Sequence, residues 1–234
     1  MAVNIPVTSK PRIVIVGAGF AGIELVRRLR YTAVQIVLID KNNYHTFQPL
    51  LYQVATAGLE PDSIAYPVRE IFREHPNVTF RMAEVLEVDP EKKHVLTSIG
   101  EIGYDYLVLA TGSRTNYFGL KDLESRALSM KTLPDAMELR NIILENFEKA
   151  LLTTSFEERE RLMTFVIIGG GPTGVELAGA LEELKKIVLP HDHPELDLKK
   201  MRIHLVDMMD RLLVNMSPEA SKSAQKFLAA RDVN

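Results

Sequence analysis

The 234 residues contain no cysteine. That excludes disulfide bonds, thiolate metal sites and any cysteine-based redox relay within them. Long apolar runs are missing too. The greasiest early stretch, Ile13 to Val26, is interrupted by Gly17, Gly19, Gly22 and Glu24, and a spanning helix needs ~18 apolar residues in a row. The opening, Met1-Ala2-Val3-Asn4-Ile5-Pro6, lacks the apolar core of a signal peptide. The chain is therefore read as soluble over these residues. An excess of positive charge is also absent. With 28 basic and 31 acidic residues the formal net charge is −3, so no nucleic-acid footprint is expected. What is present is a globular profile, 46% hydrophobic and 25% charged. It is long enough for one large or two small domains with real cores.

The apolar residues that do occur are grouped by length and period. Arg12-Ile13-Val14-Ile15-Val16 is short, continuous and β-branched, as a buried parallel strand requires. A glycine turn follows, then a helical pattern from Ile23 to Leu29, then a second strand, Gln35 to Asp40. Together these predict a βαβ unit. Further along, Ser63 to His75 reads as a helix and Asn77 to Arg81 as a third strand. Val85 to Ser98 alternates around Asp89-Pro90 as a hairpin, and Tyr104 to Ala110 is another buried strand. Thr132-Leu133-Pro134-Asp135 is a helix-start signal. Ile143, Phe147 and Leu151 then recur at helical spacing as a core-facing stripe. Thr153 to Arg161 reads as a solvated loop or helix end.

The opening pattern then starts again. Phe165 to Ile168 is a strand, Gly174 to Leu189 a helix broken at Pro190, Met201 to Asp207 a strand and Pro218 to Arg231 a helix. The predicted fold class is α/β, with two Rossmann-like doubly wound units over residues 1–115 and 116–234. About three βα units are needed to cover both faces of such a sheet. The second unit has two strands, so these residues are expected to be an incomplete version of a longer architecture.

Two glycine motifs carry the chemistry. Gly17-Ala18-Gly19-Phe20-Ala21-Gly22 has the G-x-G-x-x-G spacing between a strand and a helix. The first glycine permits the tight turn. The second lets the backbone approach a pyrophosphate, and the third lets helix and strand pack closely. The helix start offers free amides and partial positive charge to the diphosphate. Asp40 ends the next strand, where a carboxylate can accept from both hydroxyls of an adenosine ribose. Gly169, Gly171 and Gly174 repeat the spacing, with Thr173 between them, and Asp207 ends the following strand. An acid there repels a 2′-phosphate, so NADH is expected over NADPH. One nucleotide can stay bound as a redox mediator while the other arrives as electron donor.

His191, His193 and His204 lack helical i,i+4 spacing, and no metal site is assigned to them. The first two are read as a surface loop.

At this point the chain resembles the two-dinucleotide-binding flavoproteins, and within them the type II (alternative) NADH:quinone oxidoreductases. The likeness rests on Val14 to Gly22, on Tyr104 to Gly112 and on Gly169 to Gly179. It rests most specifically on Phe47-Gln48-Pro49-Leu50-Leu51-Tyr52-Gln53-Val54-Ala55.

The resemblance implies FAD and NADH as cofactors. Gly17, Ala18, Gly19, Phe20 and Ala21 would hold the FAD pyrophosphate, Asp40 and Lys41 the ribose region, and Val85 the adenine. Ala110, Thr111 and Gly112 would line the flavin, with Gln48 and Pro49 near its ring. Glu176 would be the active-site acid, sitting close to where nicotinamide meets flavin. The partners implied are NADH and a quinone. A homodimer is left open. Location would be cytoplasmic, at the inner membrane face, through a C-terminal region beyond these residues. Relatives that reduce disulfides carry a cysteine pair between Lys41 and Ala55, and here there is none. A non-catalytic nucleotide-binding fragment, or a flavin reductase serving a protein such as ferredoxin, are the alternatives.

Overall fold

The structure, a computed structural model, describes residues 3–234. Along the chain the elements are β1 (Arg12–Val16), α1 (Phe20–Arg28), β2 (Gln35–Asp40), β3 (Tyr44–Thr46), α2 (Leu51–Ala55), β4 (Ala65–Pro67), α3 (Val68–Ile71) and β5 (Val78–Met82). They continue with β6 (Val85–Asp89), β7 (His94–Thr97), β8 (Gly100–Gly103), β9 (Tyr106–Leu109), α4 (Lys121–Arg126), α5 (Leu133–Leu152) and α6 (Phe156–Leu162). The last are β10 (Thr164–Ile168), α7 (Pro172–Glu183), α8 (Leu189–Asp192), β11 (Arg202–Val206) and α9 (Pro218–Ala229). The chain divides into two compact units. One runs as far as Thr46 and resumes over Ala65–Asn116; the other comprises Phe47–Ile64 and Tyr117–Asn234. The expected cut at 115/116 thus omits an excursion. Residues 47–64 join the second unit because α2 buries Leu51, Val54 and Ala55 and packs on α5 and α7.

In the first unit four parallel strands lie in the order β5-β2-β1-β9. Both faces of this sheet are covered, which is why its strands are continuous apolar runs. Ile15, Ile36 and Leu38 point to one face and pack with Ile23 and Val26 of α1 and with Phe72. Val14, Val37 and Ile39 point to the other and meet Val95 and Ile102 of the antiparallel β6-β7-β8 sheet. The expected hairpin is therefore a three-stranded meander. The helix expected over 63–75 shrinks to Val68–Ile71. Proline is one reason: Pro67 closes β4, which pairs with β3 instead of turning helically.

In the second unit β10 and β11 are parallel, and Val233 makes a parallel bridge to Ile203 on the far side of β11. Helix α5 begins as expected. Thr132 Oγ1 accepts from the Asp135 amide at 3.3 Å, and Asp135 Oδ2 accepts from the Thr132 amide at 3.0 Å. Ile143 and Phe147 are fully buried along it, while Leu151 is half-buried.

Three local readings change. Residues 156–162 form a helix of their own, α6, capped by Ser155, where a loop or helix end is expected. Pro190 does not end the helix after Gly174. A proline donates no amide to residue i−4, and the helix absorbs this by widening into a π turn over Leu184–Val188 before α8. His193 is buried, not on the surface: its ring lies against Phe147, and Nε2 is 3.1 Å from Glu148 Oε1.

Candidate functional site

The strands of the first unit end in register. Val16 pairs with Ile39 on one side and Leu109 on the other, and Asp40 pairs with Met82. Their carboxyl ends form one edge, and β1 is where the order of connection reverses, the position at which such sheets take ligands. Gly17–Gly22, Asp40 and Ala110–Gly112 are brought together there. Gly17 has φ +109°, a left-handed value that suits glycine. A methyl on it would stand 2.3 Å from the Ala110 carbonyl oxygen, and one on Gly22 would stand 1.9 Å from the Gly17 carbonyl oxygen. A methyl on Gly19 would meet nothing within 4 Å. The turn is thus closed toward the sheet and open outward.

A network of main-chain bonds fixes that turn. The Gly17 amide donates to Ile39 O at 2.7 Å, and the Ala110 amide to Val16 O at 2.8 Å. The Ala18 amide donates to Asp40 Oδ2 at 2.7 Å and the Asn42 amide to Asp40 Oδ1 at 2.8 Å. A carboxylate has about four acceptor positions, so two remain for further donors. Phe20 opens α1 half-exposed, and Ala21 and Lys41 are exposed. Val85 opens β6 just beyond the end of β5, and Thr111 and Gly112 are exposed after β9. Gln48 and Pro49 are exposed on a 3₁₀ turn, Gln48–Leu50, that belongs to the second unit.

The second unit builds the same object. Gly169 has φ +114°, and its amide donates to Val206 O at 2.8 Å. A methyl on Gly174 would stand 1.9 Å from the Gly169 carbonyl oxygen, whereas one on Gly171 would meet nothing within 4 Å. Asp207 accepts from the Gly170 amide through Oδ2 and from the Met209 amide through Oδ1, the latter at 2.7 Å. These amides of Gly170 and Met209 hold its carboxyl below the usual carboxylate range.

Neither α1 nor α7 carries an acid in its first turn, so no side chain of that turn competes with a ligand anion for the positive helix end. Thr173 is exposed in the first turn of α7. Both junctions fit a diphosphate, with open space at the second glycine, a helix start pointing into it and an acid alongside.

Glu176 lies two residues after Gly174. No cation pairs with it among the described residues. Although the residue is exposed in area, partial desolvation of its carboxyl lifts its pKa above the ordinary glutamate value. Two features escaped the sequence reading. One is the carboxylate-to-amide tie across each motif, which needs the folded register. The other is His45, whose Nδ1 lies 3.0 Å from the Ala18 carbonyl.

Two such junctions on parallel α/β sheets define a class: oxidoreductase scaffolds built to hold two dinucleotides. The chain belongs to the pyridine nucleotide-disulphide oxidoreductase family, whose model matches residues 11–234. Among its relatives is the type II NADH:quinone oxidoreductase NdhA of Mycobacterium tuberculosis, 39% identical over 97% of this chain and 49% of the relative. Another is external NADH-ubiquinone oxidoreductase 2, mitochondrial, of Saccharomyces cerevisiae, 31% identical over 96% of this chain and 43% of the relative. The chain spans about half the length of the curated relatives it matches. In fold it is similar to NDH2 from Plasmodium falciparum in complex with NADH, with a TM-score of 0.89 at 24% identity over 96% of this chain and 47% of that one.

No described helix is long and apolar enough to cross a membrane, and no group of three or more His, Cys, Asp or Glu among the described residues could hold a metal ion.

Proposed function

We propose that this chain is the FAD- and NADH-holding part of an NADH:quinone oxidoreductase. The carrying observation is the pair of matched glycine junctions, each open at its second glycine and each with an acid tied to the loop. When bound, FAD supplies two-electron chemistry, taking a hydride equivalent from NADH and passing electrons to a quinone. The residues supply placement. The α1 start holds one diphosphate, with Asp40 on its ribose, Lys41 beside it and Val85 toward the adenine. Ala110, Thr111 and Gly112 border the flavin.

The α7 start, with Thr173, takes the NADH diphosphate, and Asp207 favours NADH by repelling a 2′-phosphate. Glu176, its proton affinity raised by desolvation, holds a proton closer to neutrality than a free glutamate does and is the candidate catalytic acid. The absence of cysteine in these residues leaves no disulfide to carry the electrons, which supports a diffusible acceptor.

Reconstituting the 234-residue chain with FAD tests this reading. The expected result is a yellow protein whose visible absorbance bleaches anaerobically with NADH and returns with a short-chain quinone. Flavin retained but never reduced by NADH would make it a binding module instead. A colourless protein would overturn FAD binding, and recovery only with an iron–sulfur protein would replace the quinone.

A further inference from the structure

We infer that His45 is a positioning residue of the first junction, turning the Gly19 amide toward the diphosphate by holding the carbonyl of Ala18. The inference rests on the FAD reading of that junction. A carbonyl can only accept, so the ring nitrogen 3.0 Å from Ala18 O, Nδ1, carries the hydrogen. The ring is held on two sides. Its backbone is paired to Tyr66 across β3 and β4, and Phe20 meets it edge-on, with centroids 5.1 Å apart and planes at 83°.

The preceding amide is held too, since the Ala18 N–H donates to Asp40 Oδ2 at 2.7 Å. The chain has no cis peptide among the described residues. In a trans peptide the N–H points opposite the C=O. Fixing the Ala18 carbonyl therefore fixes the direction of the Gly19 N–H, which has no acceptor of its own among the described residues.

The second junction shows that this tie matters and that it can be made otherwise. Gly170 occupies the place of Ala18. Its amide donates to Asp207, and its carbonyl accepts from the Leu213 amide at 2.7 Å. The corresponding residue is thus pinned through both its N–H and its C=O in both units, its carbonyl held by a main-chain amide in one and by an imidazole in the other. A side-chain substitution can release the first tie and leave the second intact.

The test compares the full chain with His45→Phe, which keeps a ring against Phe20 but has no donor, and with His45→Asn, whose amide can donate again. In flavin-free protein the Gly19 amide resonance should move in H45F while that of Gly171 stays. FAD dissociation should rise roughly tenfold, about the worth of one hydrogen bond, with NADH dissociation unchanged. H45N should recover most of the FAD affinity. An unmoved Gly19 amide, or unchanged FAD affinity in folded H45F, overturns the proposal. A wild-type chain that takes up no FAD overturns the function proposed above, and the Gly19 amide still decides whether His45 holds the loop. If H45F does not fold, failure of H45N to match wild type in the Gly19 resonance and in FAD affinity overturns it equally.

Discussion

The two glycine junctions agree in nearly every main-chain detail and differ in what surrounds them. In each, the first glycine is left-handed, the third abuts its carbonyl, and an acid from the next strand ties the residue between the first two glycines. The surroundings are not shared. Gly17 is roofed by Ala110 after β9, but no strand pairs with the corresponding edge of β10 among the described residues. Phe20 opens α1 with an N–H, whereas Pro172 opens α7 without one. His45 holds one loop carbonyl and Leu213 the other. Two residues past the third glycine, Glu24 pairs with Arg28 while Glu176 has no cation beside it among the described residues. The cradle is thus set by local backbone sterics, and its specialisation by whatever the rest of each unit brings to it.

The largest effect should come from the shared part. Gly22→Ala and Gly174→Ala each push a methyl to 1.9 Å from a carbonyl oxygen, so helix and strand must separate. Overpacking of this kind costs about 3 kcal/mol. G22A should abolish FAD uptake and G174A NADH binding, each leaving the other ligand's affinity within a few-fold, as read by separate titrations. If G22A kept its flavin, close helix–strand contact would not be what shapes the cradle.

An intermediate effect should separate the acids. Asp40 and Asp207 make the same pair of amide bonds, yet the proposed roles differ. Asp207→Asn removes the charge facing a 2′-phosphate and should shift the NADH:NADPH affinity ratio about tenfold toward NADPH, or ~1.4 kcal/mol. Asp40→Asn should leave that ratio unchanged and weaken FAD instead. Equal loss of both nucleotides in D207N would mean that the carboxylate only shapes the loop.

Much of this was legible in the sequence because it depends on short-range rules. The strand–glycine–helix order, the terminal acids and the Thr132–Asp135 cap all follow from spacing and sterics. What was not legible depends on tertiary pairing. Residues 47–64 carry no local sign that Leu51, Val54 and Ala55 pack on α5 and α7. Pro190 looks like a breaker until a π turn is available to absorb it. His45 lies 27 residues from the carbonyl it holds, and no periodicity links them.

The smallest effect should have opposite signs in the two units. Glu24 and Arg28 form an exposed i,i+4 pair at 2.8 Å, worth ~0.3–0.5 kcal/mol. Glu24→Gln should therefore destabilise slightly at pH 7. Glu176 has the reverse balance. Its folded pKa is raised above the unfolded value of 4.5 by desolvation, so the folded state binds the proton more tightly than the unfolded state. Its favourable contribution is complete below 4.5 and is lost as pH rises through the folded value. At pH 7 the charged carboxylate is a liability, and Glu176→Gln should stabilise by a few tenths of a kcal/mol, a figure kept small because the residue is exposed. That gain should vanish on acidification below 4.5. Denaturant melts at neutral and acid pH check both signs. Destabilisation by E176Q at neutral pH would mean that the carboxylate is favourably solvated or paired, and would remove its claim to a raised proton affinity.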